Sequence, residues 1–264
     1  MNKYETRQLQ RLQQWQARAP DWGSRLLARP MGMAGQAVQK LVPVAAIRRA
    51  LQGIQSMSGR LTREDALATA AGVRDIRALR QKTLQVCDRL AQRERHRAMA
   101  VASAGGAAFG VFGAAGLVAD VPTLLTWAMR TIHRTGLCYG ERAGEDLVIG
   151  IFALASANTR REKSEALAAL AQTLDVAHHT AAAKSLERAA ERELAKEAAV
   201  LSLHTLAQRI GVNMGRRKLL GGLPLIGAVV GGAVNAWYMR DVAQVAQYVF
   251  QERWLRSRYP KLNI

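Results

Sequence analysis

The chain has 264 residues, 49% of them hydrophobic but only 5% aromatic, and a formal charge of +18 at neutral pH. Scarce proline and little strand-like alternation exclude a sheet-centred fold, so small aliphatic side chains must build an all-α, compact helical bundle. The charge suits an anionic partner and lies mainly at the front: residues 1–97 carry 19 Lys+Arg against 7 Asp+Glu, the remainder 19 against 13.

Residues 3–18 predict a basic amphipathic helix, with Leu9, Leu12 and Trp15 at helical spacing and Arg7, Arg11 and Arg18 among them. Pro20 and Gly23 break it, and Trp22 and Arg25 extend the basic, tryptophan-bearing character beyond the break. A second helical stretch, 36–54, is interrupted at Pro43. Thr62 followed by Asp65 resembles a capping box with Asp in place of Glu and opens a predicted helical run to about Arg97. The expected organisation is a basic N-terminal helical region, 1–60, continuous with a helical core, 61–264.

Two uncharged, glycine-spaced stretches follow, 98–119 and 219–239, of 22 and 21 residues. At about 1.5 Å per residue each could cross a hydrocarbon layer of ~30 Å. Their content argues for close helix packing instead, because Gly and Ala gain little from lipid and Gly106 and Gly110 stand four apart, as do Gly227 and Gly231. Asp120-Val121-Pro122 predicts a break, with one helix ending near Gly116 and another beginning near Pro122 under an Asp120 cap, the two forming a glycine-rich hairpin. The second arm, about 122–139, places Leu125, Ala128, Ile132 and Gly136 on one face and ends in Cys138-Tyr139-Gly140. A short apolar helix, 147–157, belongs to the core, and the mixed charges of 160–197 read as a solvated helix face. After Gly222-Leu223-Pro224 a long helix runs to about Arg258, with Asn235 expected to make a buried inter-helix hydrogen bond.

Chemical signatures are sparse. There is no H-E-x-x-H, no G-x-S-x-G elbow and no phosphate-binding loop. Asp175 and His179 are one turn apart with His204 as a distant third, a pattern that fits polar residues on a solvated helix better than a metal site. Cys87 and Cys138 have no metal spacing and read as buried, reduced thiols. The first residues lack the apolar run of a secretory signal, so a cytoplasmic setting is expected. Asp120 also admits a second reading, as a buried titrating acid. No recognition helix or stacking platform supports nucleic-acid binding, and no catalytic residue, metal or cofactor can be assigned.

The run GAAGLVADVPTLLTWAMRTIHRTGLCYG, the short apolar helix after it and the C-terminal GLPLIGAVVGGAVNAWYMRDVAQVAQYVF resemble the two hallmark blocks of the EcsC family. Tyr4-Glu5 with Leu12 and Trp15 is similar to the way members begin. One departure is Glu141-Arg142 after Gly140, where many members carry an aromatic residue and an aspartate. The family takes its name from a bacterial gene beside an ABC transporter pair associated with protein secretion and processing. The resemblance therefore implies an accessory role in an envelope, transport or secretion system, and the peptidase label on some relatives transfers no residue that can be placed.

The first reading is thus a non-enzymatic protein on the cytoplasmic side, peripheral on the inner face of the cell membrane, meeting an anionic lipid surface or a membrane-protein partner. Arg7, Arg11, Trp15, Arg18, Trp22 and Arg25 are its membrane-contact candidates. Gly106, Gly110, Asp120, Pro122, Tyr139, Gly140, Gly227, Gly231 and Asn235 are candidates for helix packing or function. A hydrolase near Asp120 or Asp175/His179, and an integral membrane protein, stand as alternatives.

Overall fold

The computed structural model describes residues 1–20, 64–110, 113–157, 159–179 and 227–262, and among them there is no strand. Helix α1, Lys3–Ala17, opens on a capping box: the Asn2 side chain accepts the amides of Tyr4 and Glu5 at 2.9 Å, and the Glu5 carboxylate accepts the Asn2 amide at 2.8 Å. Then come α2, Glu64–Ala71, a 3-10 turn, Ile76–Gln81, and α3, Leu84–Gly110. They are followed by α4, Gly113–Cys138, α5, Glu145–Ser156, α6, Arg160–His179, and α7, Gly227–Arg258.

The long α7 is the axis of the bundle. It packs along α3 and against α4 and α5, α3 pairs with α4, α5 carries α6, and α1 lies across α7 and α3. One core joins these elements, with Leu84 from α3, Leu125 and Ile132 from α4, Ile151 and Phe152 from α5, and Phe250 and Leu255 from α7 all fully buried. Burying each such side chain contributes about 1.5–3 kcal/mol. The face Leu125, Ala128, Ile132, Gly136 is buried as its spacing predicts.

Two predicted boundaries are corrected. The run from Thr62 to Arg97 is not one helix: Gly72, at φ +65°, ends α2, and Asp75 caps the 3-10 turn by accepting the Arg77 amide at 2.9 Å. The expected break at Asp120-Val121-Pro122 is absent, because α4 runs unbroken through it from Gly113 to Cys138 and α3 before it ends at Gly110. Pro122 removes one helical hydrogen bond, at about 3 kcal/mol or more. The buried row Leu124, Leu125, Ala128, Met129 and Ile132 immediately after it offsets that loss. The predicted start of the last helix at Pro224, the stretch 36–54 and the part of the mixed-charge run 160–197 beyond 179 lie outside the described residues. Among the described residues, no helix is long and apolar enough to cross a membrane.

Candidate functional site

Asp88 sits on α3 one residue from Cys87, in phase with Leu84 and Ala91, so the helix carries its carboxylate into the core. The phenol of Tyr139 donates to Oδ1, the Gln251 amide donates to the same oxygen at 2.8 Å, and the phenol of Tyr4 donates to Oδ2 at 2.8 Å. α1, α3, the end of α4 and α7 thereby meet at one acid. Burial raises the Asp88 carboxyl above the usual range, while the hydrogen bonds from Tyr139, Gln251, Tyr4 and Gln247 act in the opposite direction. Burial, with Asp88 beside it, also pushes the Cys87 thiol up to about 12, and burial with the charge of Glu94 raises Cys138, so both sulfurs are held as thiols, a poor state for a nucleophile.

The corner after α4 is fixed by glycine. Gly140 has φ +72°, a Cβ there would lie 2.6 Å from the Arg80 amide nitrogen, and its carbonyl accepts the Arg80 guanidinium at 3.0 Å. Four residues earlier, a Cβ on Gly136 would lie 2.8 Å from both the Glu141 carbonyl and the Phe250 ring. Tyr139 and Gly140 are therefore brought together as parts of one packed joint.

Asp120 and Asn235 also meet. The Asn235 amide donates to the two carboxylate oxygens at 3.0 and 3.3 Å, with both residues buried between α4 and α7. Asp120 is thus interior to α4, not a helix cap, and its oxygens face a neighbouring helix instead of the amides of its own first turn. Gly106 is buried in α3, Gly110 ends that helix, Pro122 lies within α4, Gly227 begins α7 and Gly231 follows one turn later. A close contact between α3 and α7 falls at Gly232, where a Cβ would lie 2.8 Å from the Ser103 carbonyl of α3.

Three of the six basic and aromatic candidates converge on a cleft of about 450 Å³ between α1, α5, α6 and α7. Arg11 and Arg18 stand on its rim, exposed, and Trp15 is half-buried in its wall. The Trp15 ring packs on Tyr248 with centroids 4.7 Å apart, and Lys163 Nζ lies 4.5 Å from the ring centre. Lys163 is itself buried and donates to the carbonyls of Trp15 and Arg18, the latter at 2.8 Å, closing the C-terminal end of α1. Trp15 is accordingly an anchor of α1 in this cleft. Arg7 is exposed on α1, and Trp22 and Arg25 lie outside the described residues.

Asp88, Lys163 and the partly buried, bidentate Glu94–Arg134 pair are not singled out by the sequence. A signal exists for the first two: Asp88 falls in register with Leu84 and Ala91, and Lys163 with Ala166 and Leu170, so each charge occupies an apolar helical phase. Among the described residues, no group of three His, Cys, Asp or Glu side chains is arranged to hold a metal ion.

Fold and sites together define an all-α protein whose buried polar contacts tie helices to one another and whose open cleft is cationic. The chain belongs to the EcsC protein family, whose model matches residues 6–255. No curated protein and no solved structure matches it.

Proposed function

We propose that the protein is a non-enzymatic accessory of an envelope, transport or secretion system that docks peripherally on an anionic membrane surface through α1. The observation that carries this reading is the basic stripe of that helix. Lys3, Arg7 and Arg11 recur every four residues, Arg18 follows just past the end, and all four are exposed while Glu5, Gln8 and Leu12 turn inward. None of the four is paired with a carboxylate among the described residues. A rigid helix holding several cations clear of the body suits an anionic headgroup layer, where each basic residue near the surface contributes about 1 kcal/mol.

Flotation with vesicles of phosphatidylglycerol and phosphatidylcholine tests this. The protein should rise with the vesicles at low salt and stay at the bottom at high salt, since screening shortens electrostatic reach. Failure to float at low salt overturns lipid docking. Carbonate extraction separates peripheral from integral attachment, and release into the supernatant is expected.

A further inference from the structure

The cleft beside α1 has a wall chemistry that a docking stripe alone does not require. Arg11 and Arg18 stand on its rim, Lys163 is buried in its wall, and Leu154 and Val245, themselves buried, form its apolar floor. The carboxylate that lines it, Asp241, carries the Arg240 guanidinium at 3.0 Å, so the cations dominate its field. Guanidinium forks match phosphate oxygens geometrically, and apolar wall beneath a cationic rim fits the carbon skeleton behind a phosphate. The volume of about 450 Å³ is that of a small-molecule site.

We infer that this cleft is a binding site for a phosphate-bearing headgroup, with Arg11 and Arg18 taking the phosphate and the Leu154/Val245 side taking the glyceryl and acyl carbons. The inference deepens the membrane reading and rests on it only for the source of the ligand. A site of this kind would select phosphomonoester lipids over zwitterionic ones, where the stripe of α1 counts charge alone.

Calorimetric titration of the full chain with monomeric dihexanoyl phosphatidic acid, dihexanoyl phosphatidylcholine and inorganic phosphate tests it. Phosphatidic acid should bind saturably, and the R11Q/R18Q pair should lose about tenfold or more in affinity, the scale of one charged hydrogen bond. The R89Q/R93Q pair, exposed on α3, removes the same charge elsewhere and should bind as the parent does. If inorganic phosphate competes only at much higher concentration, the lipid headgroup is the ligand source; if it competes equally, the site takes the free anion. No saturable binding to the parent chain, equal affinity in R11Q/R18Q, or equal binding of phosphatidylcholine would each overturn the site. Because the probes are soluble, this outcome is independent of flotation: loss of flotation with retained titration removes the docking stripe and leaves the cleft.

Discussion

At the scale of single residues, two glycines with nearly the same backbone angle separate strain from crowding. Gly72 and Gly140 both have positive φ, but a Cβ at Gly72 meets nothing within 4 Å whereas one at Gly140 meets the Arg80 backbone at 2.6 Å. G72A should therefore cost about 1–2 kcal/mol, the left-handed penalty alone, and G140A about 3 kcal/mol or more. Urea unfolding of both variants checks the difference; equal losses would refute the role assigned to the Arg80 contact. Asp88 gives a second test. Deleting its carboxylate leaves buried phenol and amide donors without an acceptor, so D88A should lose about 3 kcal/mol. D88N retains an acceptor and should lose much less. The folded-state pKa of Asp88 is raised above an unfolded value near 3.9, so its contribution is complete below that pH and declines as pH rises through the folded pKa. The stability of D88N relative to the parent should consequently improve as pH rises from about 4, and a difference that stays constant with pH would remove the raised pKa. The sequence shows Asp88 on an apolar helical phase, but nothing local marks Tyr4 and Gln251 as its partners, since they come from opposite ends of the chain.

Elements were more legible than their boundaries. α1, α3, α4, α5 and the long α7 follow from apolar periodicity, because each buries one continuous face. A break is expected at Asp120 because Asp-x-Pro has the local grammar of a helix start, while the contact that decides, Asn235 to Asp120, comes from a helix more than a hundred residues away. The break after α2 was missed for the opposite reason: Ala-Ala-Gly-Val is compatible with helix, and only the left-handed Gly72 reveals the stop. Small residues pay off where two backbones approach, and position within the glycine cluster decides which one matters. G232A, aimed at the Ser103 carbonyl 2.8 Å away, should separate α3 from α7 and cost about 1–3 kcal/mol. G105A, with no atom within 4 Å, should be neutral or stabilising by up to about 1 kcal/mol through helix propensity. Thermal unfolding of the pair decides it, and a harmless G232A would undo the close-packing account of α3 and α7.

For the whole molecule, the cations of the first helix acquire a position only when α1 is seated. Composition shows that the front of the chain is basic, and helical spacing separates Leu12 from the arginines, yet neither shows that Trp15 is held against Tyr248 and Lys163. With Trp15 held as an anchor, the proposed membrane contact of α1 rests on its cations and not on this ring. Lys3 and Arg7 lie on the stripe but do not line the cleft, which allows general charge attraction to be measured apart from ligand recognition. The K3Q/R7Q pair should lower partitioning onto phosphatidylglycerol vesicles by about 30-fold at low salt, from ~1 kcal/mol per basic residue. The deficit should shrink as salt rises and the Debye length contracts. R89Q/R93Q carries the same net charge and should partition close to the parent if the stripe, and not total charge, is what the membrane meets. Equal losses in the two pairs would assign the attraction to the overall field of the protein, and no loss in K3Q/R7Q would take α1 out of the membrane contact altogether.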